Sequence, residues 1–264
     1  MTEPQDVLYT VEDHVATITF NRPDKQNTIS GPMLGALSDY LLKADADPDV
    51  RAIVITGSGK FFCAGLDLRG GGISSGLSNQ RTSPANLDLR NTPPTVLHNI
   101  DTPTIAAING GAAGYGMDLA LGCDIRLIAD TAKLAAAFTK RGVLPESGGT
   151  WILPRLIGWS KASEIIFTGR TLSPADCLEY GLVSRVVNSN ELPGVAMALG
   201  REIAANAPMA VQGSKRMMRM GMNETFNDHV HHVFLQLLPL FQSDDFKEGM
   251  KAFLEKREPD FKGS

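Results

Sequence analysis

Two glycine-bearing turns hold the residues best placed to do chemistry. The first is Phe61-Phe62-Cys63-Ala64-Gly65-Leu66-Asp67-Leu68, just after an apolar run that ends at Thr56. The second runs from Asn109 through Gly110, Gly111, Gly114 and Gly116 to Asp118, just after the apolar run Pro103 to Ile108. A turn leading from strand to helix presents backbone N–H groups that have no partner within the helix, at the end where the helix dipole favours negative charge. Two such groups converging on one carbonyl oxygen make an oxyanion hole, and removing one donor of this kind lowers a rate by roughly 10²–10³. The same residues also read as plain tight turns, and residue types alone leave both readings open. Gly111-x-x-Gly114 does not extend to a dinucleotide fingerprint: no GxGxxG starts in the right place and no ribose-binding acid follows at a suitable distance. The P-loop pattern is absent as well.

The elements that must position these turns can be read from periodicity. Val7 to Thr10 and Val15 to Phe20 alternate apolar and polar residues around Glu12-Asp13-His14 and predict a β-hairpin. Asn21-Arg22-Pro23-Asp24-Lys25 breaks the strand, and Ser30-Gly31-Pro32 opens a helix with Leu34, Leu37, Leu41 and Leu42 on one face. Ala52 to Thr56 predicts a short buried strand. Strands at 103–108 and 124–129 enclose a helix beginning at Met117 to Gly122, so the middle of the chain reads as repeated ββα-type units. The polar stretch 69–92 is long for a loop inside a compact domain and predicts a mobile lid, a pocket wall or an insertion. Beyond Thr150 the pattern is mostly helical, with a short strand at 182–187.

Ala207-Pro208 marks a break, which divides the chain into a core, 1–206, and a C-terminal helical module, 207–264. Met209 to Met222 and Glu224 to Phe241 carry apolar residues at helical spacing. Met217, Met218, Met220 and Met222 read as adaptable core or subunit interface. His229, His231 and His232 invite a metal reading, but only 229 and 232 share a helix face, so their spacing argues against it.

Composition bounds the function classes. The 264 residues are 43% hydrophobic and 20% charged, the values of an ordinary soluble globular protein. Lys plus Arg is 25 and Asp plus Glu is 29, giving a formal charge of −4 and no global electrostatic case for nucleic acid or an anionic membrane. Cys63, Cys123 and Cys177 are widely spaced and read as free thiols of a reducing compartment. The acidic N-terminus has no basic flank or apolar run, and no apolar stretch reaches spanning length. These features predict a cytoplasmic protein.

The two turns, together with Asn21-Arg-Pro-Asp-Lys25, Leu144-Pro-Glu-Ser-Gly-Gly-Thr-Trp151, Thr168-Gly-Arg170 and the ending Glu248 to Arg257, resemble the crotonase (enoyl-CoA hydratase/isomerase) superfamily over nearly the whole chain, in order. The resemblance implies an α/β fold: a spiral of ββα units with a C-terminal helical module, assembled as homotrimers or homohexamers. It implies an acyl-CoA thioester as substrate and no separate cofactor or metal. The oxyanion donors would be the N–H groups of Leu66 and Tyr115. Tyr115 stands where the family usually has glycine, and its phenol would narrow the acyl pocket alongside Phe138 and Trp151. Arg22, Lys25, Ala64, Asp67 and Leu68 fall at CoA-binding positions, and Lys262 would reach a phosphate from a neighbouring subunit. The alternative for each cation is a solvated surface charge, and for Asp67 a brace of its turn.

Family members that hydrate a double bond use two glutamates. Their positions fall here on Asp118 and on Phe138, which cannot transfer a proton. Glu146 instead matches the acid–base position of relatives that move double bonds, with phenylacetate-pathway ring isomerases especially similar around Pro145-Glu146-Ser147. The resemblance therefore implies an isomerase with Glu146 as acid and base, assisted by Asp118 as a second proton-transfer group, a tuning partner or an anchor of the turn. The other readings of Glu146 are a helix-start acid interacting with the dipole and the nucleophile of an aryl-CoA dehalogenase or hydrolase-like enzyme. A hydratase with unusual carboxylates and a non-catalytic acyl-CoA-binding scaffold complete the alternatives.

Overall fold

The computed structural model describes residues 5–68 and 89–264. Val7–Glu12 (β1) and Val15–Phe20 (β2) form the antiparallel hairpin that their alternation predicts, turning through Asp13 and His14 at positive φ. The helix Gly31–Ala46 (α1) follows, with Ser30 extended before it and Pro32 in its first turn. Its buried apolar face is Met33, Leu37, Leu41 and Ala44, so Leu37 and Leu41 of the four predicted leucines lie in the core and the other two do not. The 3.6-residue period leaves Leu34 on the shoulder, where it lines a cavity, and turns Leu42 out to 44% exposure.

From Ala52–Gly57 (β3) onward one pattern repeats. A strand joins a larger sheet, the next strand joins a smaller sheet, and a helix follows. β3 and Phe61–Cys63 (β4) precede Pro93–Asn99 (α2). Thr104–Ile108 (β5) and Gly111–Ala113 (β6) precede Tyr115–Gly122 (α3). Ile125–Ala129 (β7) and Leu134–Ala135 (β8) precede Gly149–Ile157 (α4) and Trp159–Thr168 (α5). Thr171–Leu172 (β9), Pro174–Glu179 (α6) and Arg185–Val187 (β10) close the core. The larger sheet runs β1-β2-β3-β5-β7-β10 and the smaller one β4-β6-β8-β9. Both sheets therefore advance in step with the chain, which is the spiral of ββα units that the resemblance implies. The central parallel strands are covered on both faces: Ile53, Ile105, Ala106, Ile108, Leu127 and Ile128 are wholly buried, which explains their unbroken apolar runs.

Some sequence expectations shift. The strand β4 lies in what reads as a turn, because three residues are too few to show alternation. The strand expected at 182–187 begins only at Arg185; Leu182 and Val183 are buried in the turn after α6, where both amides bond to the Cys177 carbonyl. Of the loop expected at 69–92, residues 69–88 lie outside the described residues. All three cysteines are buried free thiols, and burial pushes each up to about 12.

Leu192–Ala204 (α7) packs against the larger sheet, and Pro208–Gly221 (α8), Phe226–Leu240 (α9) and Asp244–Glu255 (α10) form the C-terminal region. Charge pairs dock α8 on the core. Arg216 Nε reaches Asp101 at 2.9 Å and Arg219 Nη2 reaches it at 3.0 Å. Lys215 Nζ lies 2.7 Å from Asp124 and donates to the Thr102 carbonyl at 2.9 Å. Met217 is buried while Met218 and Met222 are exposed. His229 and His232 do share a face, and both Nδ1 atoms lie on the Glu224 carboxylate at 3.2 and 3.0 Å. Among the described residues no cluster of three potential ligands could hold a metal, and no helix is long and apolar enough to cross a membrane.

Candidate active site

The repeat brings the two glycine turns side by side, because β4 and β6 are neighbours in the smaller sheet. In the first turn Gly65 sits at φ +106°, a region that favours glycine. Ile29 pairs across this turn: its N–H donates to the Gly65 carbonyl and its own carbonyl accepts from the Asp67 N–H, both at 2.9 Å. These bonds straddle Leu66, so among the described residues the Leu66 N–H is left without a backbone partner. In the second turn Gly114 adopts φ 53° and ψ −124°, and Tyr115 opens α3, where a first-turn N–H has no intrahelical acceptor. A Cβ added to Gly65 would lie 3.0 Å from the Ala113 carbonyl oxygen and 3.9 Å from the Tyr115 nitrogen. The two free N–H groups thus belong to turns in direct contact.

Both turns open onto a cavity of about 1600 Å³. Its lining includes Lys25, Ala64, Leu66, Asp67, Leu68, Tyr115, Phe138, Glu146 and Trp151, so the fold gathers most of the expected site into one place. One CoA contact expected within the chain, Arg22, is not brought there. Arg22 does not line the cavity; its guanidinium donates to Asp67 at 3.1 Å and to the Thr28 carbonyl at 2.7 Å, and its side chain is 9% exposed. It braces the first turn through Asp67, the place where the structure puts it instead of at the cavity wall. Lys262, expected to act from a neighbouring subunit, has its ammonium 2.8 Å from Asp260 and its amide on Asp245.

Glu146 and Asp118 prove to have different places. Asp118 is 3% exposed and does not line the cavity. Its Oδ2 accepts from the Ser147 hydroxyl at 3.0 Å and from the Gly149 N–H at 3.1 Å. A Cβ on Gly149 would lie 2.3 Å from Asp118 Oδ1, so only glycine allows this approach. Asp118 therefore holds the 147–149 turn through Ser147 and Gly149, the contacts that its expected anchor role requires. Glu146 projects from the same turn into the cavity. Burial raises its carboxyl above the ordinary value, against its own backbone N–H. Phe138, 5% exposed, packs beside Gly114, and a Cβ there would meet its ring at 3.7 Å.

Burial also pushes Asp118 up to about 7, with the Glu146 charge adding to it and the Ser147 and Gly149 bonds opposing. From roughly pH 4 to 7 the folded chain then keeps a proton that the unfolded chain has lost. Stability from this group is full below the unfolded value of 3.8 and is lost as pH rises through about 7. Asp118→Asn cannot titrate and keeps an acceptor oxygen. Urea midpoints at pH 5 and pH 8 should move in the variant's favour as pH rises, by on the order of a few kcal/mol at about 1.4 per unit. A wild-type-minus-variant difference that does not change with pH would refute the assignment.

Sequence reasoning passed over α2 and the cavity residues it carries, Pro93, Pro94, Thr95 and His98. The available signal was Thr92-Pro93-Pro94 before apolar Val96, Leu97 and Ile100, a helix start with proline in the first turn. The His98 ring stands edge-on to Trp151 with centroids 5.4 Å apart, and the Arg155 guanidinium lies 3.9 Å from the Trp151 centroid.

The family profile described as Enoyl-CoA hydratase/isomerase matches residues 10–264. The chain is 35% identical over 265 residues to the (E)-benzylidenesuccinyl-CoA hydratase of Thauera aromatica, covering 98% of this chain and 99% of that protein. It is 34% identical over 263 residues to the 1,2-epoxyphenylacetyl-CoA isomerase of Escherichia coli K12, covering 97% and 98% respectively. The crystal structure of an enoyl-CoA hydratase from Bacillus anthracis superposes with a TM-score of 0.89 at 32% identity, over 98% of this chain and all of that one.

Proposed function

The chain belongs to the enoyl-CoA hydratase/isomerase family with its crotonase fold, and from that premise we propose that it is an enoyl-CoA isomerase converting 3-enoyl to 2-enoyl thioesters. The observation carrying this reading is the inventory of carboxylates at the cavity. Among the described lining residues these are Asp24, Asp67 and Glu146, and only Glu146 stands with Phe138 and Tyr115 near the second oxyanion turn. Asp67 is engaged by Arg22, and Asp24 lies in the 23–25 turn. Asp118 faces Ser147 and Gly149.

One carboxylate suffices for moving a double bond. Glu146 takes a proton from the carbon between the thioester carbonyl and the alkene, and the electron pair moves onto the thioester oxygen as a dienolate. The Leu66 and Tyr115 N–H groups hold that oxyanion. As the dienolate collapses, the proton returns from Glu146 two carbons further along and the double bond comes to rest beside the carbonyl. Proton and electron balance close without a redox cofactor. A carboxyl raised by a partly apolar site is a better base than an ordinary one and returns the proton readily. Lys25, which lines the cavity, is a cation available to the nucleotide end of CoA.

Assembly with further copies of the chain is part of the proposal. Helix α9 has no buried residue, and Phe226, Phe234, Leu235 and Leu238 on it are each more than half exposed, a face that association would cover. A trimer or hexamer is the expected state, to be measured by sedimentation. The reaction is tested by following absorbance of the conjugated thioester. A rise with 3-enoyl-CoA, with little loss from 2-enoyl-CoA, is expected; rapid loss from 2-enoyl-CoA would make the chain a hydratase instead.

A further inference from the structure

The wall of the cavity formed by α2 is apolar or internally satisfied at every described position except one. Pro93 and Pro94 have no polar side-chain atom. The Thr92 and Thr95 hydroxyls bond each other at 3.1 Å, and Thr92 also donates to the Leu89 carbonyl at 2.9 Å. Beside it stands Trp151, with Arg155 over its ring and the His98 ring nearly perpendicular to it. The exception is the His98 imidazole, whose ring nitrogens have no hydrogen-bond partner among the described residues.

His98 is held in place twice over. Its ring is set against Trp151, and its backbone carbonyl accepts from Arg219 Nη1 at 3.0 Å, a donor that also reaches the Ile100 carbonyl at 3.1 Å. Burial lowers its pKa first, and Arg219 and Lys215 lower it further against the opposing charge of Asp124. The ring is therefore neutral near pH 7 and offers one N–H donor and one nitrogen acceptor. His98 is exposed, so in the free protein both nitrogens are open to solvent. A hydrocarbon acyl group filling the cavity would cut them off from solvent and offer no partner in exchange, which disfavours binding. A neutral oxygen on the acyl group would restore a partner.

We propose that His98 forms a polar subsite in the acyl pocket, and that the preferred substrates are acyl-CoA thioesters carrying a hydroxyl or carbonyl oxygen beyond the reacting carbons. The inference rests on the acyl-CoA reading of the cavity given above. A carboxylate substituent fits less well, since a neutral imidazole brings it no charge.

The experiment is isothermal titration of the full-length protein with saturated acyl-CoA pairs. One member is hexanoyl- or octanoyl-CoA, and the other bears a hydroxyl or keto group at a successive carbon from the fourth outward. At least one oxygenated member should bind about tenfold more tightly than its parent, the factor that about 1.4 kcal/mol represents. His98→Leu should remove or reverse that preference, and His98→Gln, which keeps a donor and an acceptor, should recover part of it. Circular dichroism of each variant checks that it folds. Hydrocarbon members binding as well as every oxygenated one, or a ratio unchanged in His98→Leu, would overturn the polar subsite alone. Failure of all acyl-CoA thioesters to bind would overturn the acyl-CoA reading and this inference with it.

Discussion

Glu146→Gln should lower the rate of 3-enoyl-CoA isomerisation by at least 10²–10⁴-fold, the range a positioned acid–base group supplies. The amide is nearly the shape of the carboxyl but can neither take the proton nor return it, so kcat should fall while binding of a saturated acyl-CoA stays within a few-fold. The split matters because other roles for Glu146 predict other patterns. A glutamate acting only on the α4 helix dipole would affect stability by about 0.3–1 kcal/mol and leave turnover near wild type. A nucleophilic glutamate would leave isomerisation at background in both proteins and be revealed by a covalent acyl- or aryl-enzyme in wild type. Asp118→Asn adds the complementary arm. If Asp118 only anchors the 147–149 turn, its loss should cost far less activity than loss of Glu146; equal loss would make the pair a joint proton-transfer unit.

The sequence made the larger sheet legible because its central strands are short, wholly apolar and bounded by breaks, as at Ala52 to Thr56. It did not disclose β4 or α2. A three-residue strand has no period to detect, and a seven-residue helix opening with two prolines and burying Val96 and Leu97 looks like a loop. The glycine turns could be recognised as candidate donors, yet their convergence is a property of strand neighbours far apart in the chain. The distinction between Glu146 and Asp118 was likewise invisible locally. Both are acids near turns, and only the fold turns one carboxylate into the cavity and the other onto Ser147 and Gly149. The surroundings of Arg22 were hidden for the same reason: a cation in a turn shows nothing in the sequence of the Asp67 carboxylate and Thr28 carbonyl that it bonds.

Gly116→Ala should damage both fold and chemistry, because this glycine sets the distance between the two oxyanion turns. A Cβ at position 116 would lie 2.1 Å from the Cys63 carbonyl oxygen and 2.8 Å from its carbon, and both atoms are backbone of β4. No rotamer relieves that contact, so α3 must move away from β4 by more than an ångström. Forcing an extra methyl into a closed interior typically destabilises by about 1–3 kcal/mol. The displacement also separates the Tyr115 N–H from the Leu66 N–H, and a misplacement of about 1 Å can cost on the order of 10² in rate. Gly194→Ala in α7 is the matched control, since a Cβ there meets nothing within 4 Å. It should be neutral or stabilising by up to about 1 kcal/mol through helix propensity, with unchanged turnover. The measurements are urea midpoints and kcat/KM for both variants under one condition. A Gly116→Ala protein that folds and turns over like wild type would mean that the contact between α3 and β4 does not position the oxyanion donors.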